Sequence, residues 1–267
     1  MQKTIFITGA SSGLGKATAK LFQAKGWNVI ATMRNIKDGA DLSELPNVTL
    51  LPLDVTNPDQ INATVDKALS LHNVDVVLNN AGYGLSGALQ VLSDEQILRQ
   101  VNTNLLGVIR VTKAFIPHFR KNKNGVFVNI TSIGGLIGFP LNSLYNATKF
   151  AVEGWSESMA FELSLYNIKI KTIAPGAIIT DFGGRSLEVS PSAGYDSLEH
   201  KWFELINSMM SSGATAEQMA EFVFETATSD TDQVHYIAGN DAKDLYAQYL
   251  EMGRENFNQM LKKQFLV

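Results

Sequence analysis

Tyr145 and Lys149, four residues apart, carry the clearest chemical signal in the sequence. On a helix that spacing sets a phenol and an ammonium on one face. A tyrosine with its ordinary pKa of about 10 is a poor base at neutral pH. A cation roughly 4 Å away is worth on the order of 4 kcal/mol at an effective dielectric of 20, at most about three pKa units. The phenol then approaches the range where general acid–base catalysis works best. Ser132 lies upstream, at the end of the apolar run Val126–Thr131, with glycines between it and Tyr145. A hydroxyl placed there can stabilise charge developing on a carbonyl oxygen. Taken singly, such a pair is an ordinary exposed helix face and such a serine an ordinary strand cap. Their order in one chain is what points to chemistry.

A second set of residues suits a dinucleotide. Gly9, Ser11, Ser12, Gly13, Leu14 and Gly15 follow the first apolar run and open a helical pattern. Glycines there let the chain turn sharply and bring backbone N–H groups to a pyrophosphate at the positive end of a helix. The spacing is G-x-x-x-G-x-G. About 20 residues further on, nicotinamide enzymes select their cofactor, an acidic residue favouring the unphosphorylated ribose. Here the second run ends Ala31-Thr32-Met33-Arg34-Asn35, with no carboxylate at its tip. Arg34 can pair with a 2′-phosphate, a contact worth about 1.5–3 kcal/mol. NADP(H) is therefore expected over NAD(H), and the nicotinium charge of the oxidised form would add to the effect of Lys149 on the phenol.

The elements that must hold these residues alternate along the chain. Strand-like runs fall at Thr4–Thr8, Val29–Thr32, Val48–Leu53, Val74–Leu78, Val126–Ile130, Ile168–Ala174 and Val234–Ala238. Several are continuously apolar, as strands covered on both faces are. Helical patterns separate them, with starts at Asn57-Pro58, Ser93–Gln96 and Thr215–Gln218. The expected fold is α/β: one Rossmann-like doubly wound parallel sheet of about seven strands with helices on both faces, spanning 1–267 as a single domain. Residues 181–212 are expected to form a substrate loop or lid, beginning with an irregular stretch at 181–195. Residues 241–265 read as an amphipathic helical extension with Leu245, Tyr249, Phe257, Met260 and Leu261 on its apolar side.

Composition excludes several classes. The 267 residues are 45% hydrophobic and 18% charged, with a formal net charge of −4, which gives no electrostatic footprint for nucleic acid. Cysteine is absent, which removes disulfides and thiolate metal sites and suits a reducing, cytoplasmic setting. No metal is expected. The N-terminus enters a strand at once and leaves no room for a signal peptide. The uncharged stretch Asn124–Thr148 is long enough to span a bilayer, but its glycines, Pro140 and polar residues read as strand and loop, so no membrane insertion is expected.

With these residues in place, the sequence resembles the short-chain dehydrogenase/reductase family, in its branch of roughly 250-residue enzymes, over nearly its whole length. The resemblance implies that Asp54 and Val55 meet the adenine, and that Asn79-Asn80-Ala81-Gly82 stabilises the sheet and lines the cofactor site. It implies that Pro175-Gly176-Ala177-Ile178-Ile179-Thr180 contacts the nicotinamide. Asn104 would hold a water linking the active-site lysine to solvent. Tyr145 would be the acid/base, Lys149 would lower its pKa and bind the nicotinamide ribose, and Ser132 would polarise the substrate oxygen. Two departures stand out. The last strand runs Tyr236-Ile237-Ala238-Gly239-Asn240-Asp241-Ala242 rather than into Val-Asp-Gly-Gly, which puts the family's tetramer in doubt. It leaves a homodimer through the helices around Ser93–Lys121 and Tyr145–Leu163, or a monomer. Ser12 also stands where some NADP-dependent members carry a basic residue.

Positions expected to face the substrate are Tyr83, Leu85, Ile133, Gly134, Phe139, Leu141, Asn142, Ala177 and Phe182. They are mostly apolar and suit a lipophilic ketone, aldehyde or secondary alcohol. The rival reading is an NADP(H)-binding regulator that uses the fold without catalysis. An epimerase or dehydratase would usually need a larger C-terminal region than this chain holds.

Overall fold

The computed structural model describes residues 2–180 and 186–266. Seven parallel strands form its central sheet: β1 (Thr4–Thr8), β2 (Asn28–Met33), β3 (Val48–Pro52), β4 (Val76–Asn79), β5 (Gly125–Ile130), β6 (Ile168–Pro175) and β7 (His235–Ala238). Their order across the sheet is β7-β6-β5-β4-β1-β2-β3. The direction of winding reverses between β1 and β4, and an open sheet of this kind has its ligand crevice at that switch, beyond the carboxyl ends of the strands. The expected runs match these strands to within two residues at each end.

Helices cover both faces because each presents one apolar stripe. On one side lie α1 (Gly13–Ala24) and α7 (Ala216–Thr228), packed through Phe22, Met219 and Val223. On the other lie α2 (Pro58–Leu71), α4 (Gly107–Asn122) and α5 (Ser143–Ser164), where Phe115, Phe119 and Phe127 are fully buried. Each such phenylalanine contributes about 2–3 kcal/mol of transfer free energy. The expected helix starts are built as read. Asn57 accepts from the N–H groups of Asp59 and Gln60 at 3.1 Å, ahead of Pro58. Ser93 and Gln96 close a capping box at the start of α3 (Asp94–Val101), as Thr215 and Gln218 do for α7.

Three features differ from the sequence reading. The helical region expected around Ser93–Lys121 contains a π turn at Asn102–Leu106, between α3 and α4. The C-terminal extension is two helices, α8 (Asn240–Met252) and α9 (Arg254–Leu266), separated by Gly253 at φ 73°. A left-handed residue ends a helix, and glycine adopts that conformation without a Cβ penalty. The described part of the expected loop region carries regular structure: Leu187–Val189 pairs in parallel with Gly84–Ser86, and α6 (Asp196–Ser212) follows.

A third apolar cluster joins the extension to the sheet's ligand end. Trp202 of α6, Phe257 and Phe265 of α9, and Ile133 and Ile137 after β5 are all buried in it. No described helix is long and apolar enough to cross a membrane.

Candidate active site

A cavity of about 730 Å³ opens at the carboxyl end of β1 and β4, within the size range of small-molecule sites. Its floor is the glycine turn. Gly9 stands at φ 70°, and a Cβ there would lie 2.9 Å from Ala81 Cα. Gly13, at φ 52°, takes the same left-handed region. Ser12 gives the first turn of α1 no side-chain hydrogen bond, and no acidic residue stands in that turn. The positive end of the helix is thus left to whatever occupies the cavity, and its chemistry fits a phosphate. Gly15 serves differently from expectation. It is not on the cavity wall; a Cβ there would meet the Gly9 carbonyl and Asn80 Nδ2, so its role is close packing of helix on strand.

The Asn79–Gly82 segment is tied down residue by residue. Asn79 Nδ2 donates to Asn129 Oδ1 at 2.8 Å and Thr112 Oγ1 at 3.0 Å, locking β4 to β5 and α4. Asn80 Nδ2 donates to the carbonyls of Thr8 and Gly9, and Thr8 Oγ1 accepts from the N–H groups of Asn80 and Ala81. Asn80, Ala81 and Gly82 line the cavity, as do Ser11, Ser12, Leu14, Asp54, Val55, Pro175, Gly176, Ile178 and Thr180. Arg34 lines its mouth, exposed, with no described residue paired to its guanidinium. The Asp54 carboxylate accepts from the N–H and hydroxyl of Thr56 at 2.9 and 2.7 Å, which fixes the end of β3. Asp241, in the first turn of α8, accepts from Ala177 N–H at 2.8 Å and packs against Gly176 too closely for any Cβ. The unusual chain end after β7 therefore holds the Pro175–Ala177 segment.

Two glycines show how the reactive side chains converge. A Cβ on Gly134 would lie 3.4 Å from both Ser132 Oγ and the Tyr145 ring. A Cβ on Gly82 would lie 3.2 Å from Asn104 Oδ1 and 3.8 Å from Lys149 Nζ. Ser132, Tyr145 and Lys149 all line the cavity. Asn104 does not. It is buried in the π turn, and its amide donates to the Tyr83 carbonyl at 2.8 Å and accepts from Tyr83 N–H at 3.1 Å. Its side chain is thus committed to fixing Tyr83.

The electrostatics depart from the sequence expectation. Burial pushes the Tyr145 phenol above its ordinary pKa, and the Ser132 hydroxyl beside it acts in the opposite direction. Lys149 donates to the Ile130 carbonyl at 2.9 Å and stands 5.7 Å from the centre of the Tyr145 ring. Burial lowers Lys149 to about 8, with Glu153 opposing the change. The phenol is therefore held protonated, ready to donate.

Of the positions expected to face the substrate, Tyr83, Ile133, Gly134, Phe139, Asn142 and Ala177 line the cavity. Leu85 does not: it is buried in the short strand Gly84–Ser86, whose neighbour Gly84 faces the cavity, and successive side chains on a strand point to opposite sides. Leu141 packs into the third apolar cluster instead. Phe182 lies outside the described residues. Sequence reasoning missed Trp202, Ile206, Met209 and Met210, which form a wall from one face of α6. Their helical spacing is the signal that would have found them. It also missed a polar clasp on the cavity wall: Arg99 pairs with Glu188, donates to Tyr83 Oη at 3.3 Å, and so ties α3 to the strand Leu187–Val189.

A dinucleotide-sized cleft at the switch point of an open parallel sheet, with a phenol, a serine and a buried lysine at its inner end, defines a nicotinamide-dependent oxidoreductase. The chain belongs to the short-chain dehydrogenase family, whose sequence model matches residues 3–188. Enzymes of this kind act on CH–OH groups with NAD(P). Among curated relatives, the chain is 41% identical over 179 residues to a 3-ketodihydrosphingosine reductase of Bacteroides thetaiotaomicron, covering 67% of this chain and 65% of that one. A crystal structure of a short-chain dehydrogenase from Streptomyces avermitilis superposes with a TM-score of 0.88 at 29% identity, covering 98% of this chain and 96% of that one. ElxO, solved with NADP bound, superposes with a TM-score of 0.74 at 30% identity, covering 89% of this chain and 98% of its own.

Proposed function

We propose that the protein interconverts a lipophilic ketone or aldehyde and its alcohol with NADP(H), Tyr145 serving as general acid in reduction and general base in oxidation. The observation that carries this reading is the convergence of Ser132 and Tyr145 on Gly134, inside the cavity whose other end is the glycine turn. The nicotinamide supplies the hydride when bound. The protein's part is to place the substrate oxygen between Ser132 Oγ and Tyr145 Oη. In reduction the phenol gives its proton to that oxygen as charge develops there, and Ser132 hydrogen-bonds the same atom. Lys149, cationic below a pH of about 8, stabilises the tyrosinate left behind and would hold the nicotinamide ribose. Asn104, next to Lys149 across Gly82 in the π turn, contributes by fixing the Tyr83 backbone beside the reacting groups.

Arg34 at the mouth, with no carboxylate at the end of β2, favours the phosphorylated cofactor, and the NADP-bound ElxO is in keeping with that preference. The wall of Trp202, Ile206, Met209 and Met210 favours an apolar substrate. The name of the Bacteroides relative points the same way, toward a long-chain ketone. Exposed Phe161 and Leu165 at the end of α5, and Leu98 on α3, support a homodimer through those helices. The lack of cysteine suits a cytoplasmic setting.

The test is NADPH oxidation against aliphatic, aromatic and steroid carbonyls, with NADH in parallel and Tyr145→Phe as control. The wild type turns over at least one class. Tyr145→Phe loses more than about 95% of that activity, since general acid–base groups contribute about 10²–10⁴-fold, while keeping NADPH affinity within about threefold. Binding without turnover across the whole panel would instead show a regulator.

A further inference from the structure

One turn beyond Lys149 on α5 sits a buried carboxylate that the proposed chemistry does not use. Glu153 is 6% exposed. Its Oε1 is contacted by the Thr131 hydroxyl, and its Oε2 accepts from Thr172 Oγ1 and His235 Nδ1, each at 2.7 Å. A carboxylate taken out of water costs several kcal/mol unless it is paired and hydrogen-bonded, so this one is held by a dedicated set of partners. They come from three strands: Thr131 follows β5, Thr172 lies in β6 and His235 opens β7.

The contacts reach the reactive residues by two routes. Thr131 stands between Ile130, whose carbonyl accepts from Lys149, and Ser132. The Glu153–Thr131 contact therefore fastens α5, with Tyr145 and Lys149, to the end of β5, with Ser132. The second route is charge. Glu153 lies four residues along the helix from Lys149, on the same face, and is the anionic group acting on it.

We propose that Glu153 is a positioning residue for the Tyr145–Lys149 pair. It keeps Lys149 cationic at neutral pH and, through Thr131, holds Ser132 against the phenol; His235 anchors the carboxylate from the solvent side. The proposal rests on the roles assigned above to Tyr145, Ser132 and Lys149. The groups facing His235 are Glu153 and, at 3.8 Å from its Nε2, Glu157, both on α5, with Thr172 on β6. The two carboxylates and the Glu153 hydrogen bond hold the imidazole above its ordinary pKa. His235 is partly exposed, so its own charge is screened more than that of Glu153.

Lys149 loses its charge as pH rises through its pKa, and removing a neighbouring anion lowers that pKa. In Glu153→Gln the loss sets in at lower pH. The experiment follows the Lys149 ¹³Cε resonance in lysine-labelled protein, assigned by its absence in Lys149→Met, alongside the pH profile of kcat/KM for carbonyl reduction. Glu153→Gln lowers the Lys149 midpoint by about one unit or more, and the alkaline limb moves with it. Glu153→Asp, which moves the charge without deleting it, shifts both in the same direction by less. His235→Gln, which leaves the carboxylate in place, shifts them least. Glu153→Gln titrating as the wild type overturns the proposal. If Glu153→Gln does not fold, a Glu153→Asp variant indistinguishable from the wild type overturns it equally. Full turnover by Tyr145→Phe would defeat the underlying catalytic reading instead, and the ¹³C titration, which needs no activity, separates the two failures.

Discussion

Lys149 donates to the Ile130 carbonyl at 2.9 Å, which turns a buried cation inward to the end of β5, two residues before Ser132. That placement has a cost in stability. Burial lowers Lys149 from 10.5 to about 8.

Lys149→Met should therefore make the protein more stable and inactive. Between the two pKa values the unfolded chain binds the proton more tightly than the folded one, a deficit of about 3 kcal/mol when complete. The deficit is full below pH 8, shrinks as pH rises, and is gone above 10.5. Methionine removes it but forfeits the hydrogen bond to Ile130, worth about 1 kcal/mol. The net gain at pH 7 is about 2 kcal/mol, or roughly 4–8 °C in Tm for a chain of this size. Thermal unfolding from pH 7 to 10.5 checks it: the variant's advantage shrinks as pH rises and reverses, by about 1 kcal/mol, once the deficit is gone. A variant less stable than the wild type at pH 7 contradicts the assignment of Lys149 as a strained cation.

Arg34→Ala tests cofactor choice. The guanidinium is exposed at the cavity mouth, and no described residue competes for it. A charge-assisted contact to a 2′-phosphate is worth about 1.5–3 kcal/mol, so the Michaelis constant for NADPH rises about 10- to 150-fold. That for NADH stays within about threefold. Initial-rate kinetics with both cofactors decide it, and equal effects overturn the preference.

How much of this was legible in the sequence varies with the range of the interaction. β1 was read to the residue because an apolar run flanked by a glycine turn is a local signal. Ser132, Tyr145 and Lys149 are singled out in the sequence by residue type and spacing, and the structure brings all three to one cavity. The break at Gly253 was not read, since a lone glycine inside an amphipathic pattern is compatible with a continuous helix. The π turn at Asn102–Leu106 leaves no comparable mark in residue type. Leu85 was misplaced because the facing of a three-residue strand is set by its pairing with Leu187–Val189, a partner about 100 residues away. The same distance hid the Arg99–Glu188 pair. The phenol's direction of shift was also beyond reach. It depends on burial and on where the Lys149 ammonium points, which the spacing of Tyr145 and Lys149 leaves open.

Trp202 is where the cavity wall and fold stability meet. Its indole Nε1 donates to Ser86 Oγ at 3.2 Å, and its ring lies 5.8 Å from Phe139 and 6.5 Å from Phe265. One side chain thus joins α6, the Gly84–Ser86 strand and α9 while forming part of the cavity wall. Trp202→Phe keeps most of the packing but leaves a buried Ser86 hydroxyl without its donor, costing about 1–2 kcal/mol and roughly 3–6 °C in Tm. Trp202→Ala removes the wall, costs about 3–5 kcal/mol, and enlarges the substrate end of the cavity. The ratio of kcat/KM for a polycyclic carbonyl over a linear one rises in Trp202→Ala and changes little in Trp202→Phe. Both variants are assayed below their melting transitions, so that loss of fold and change of preference are read separately. An unchanged ratio in a folded Trp202→Ala places the substrate away from α6 and removes the apolar wall from the argument for a lipophilic ligand.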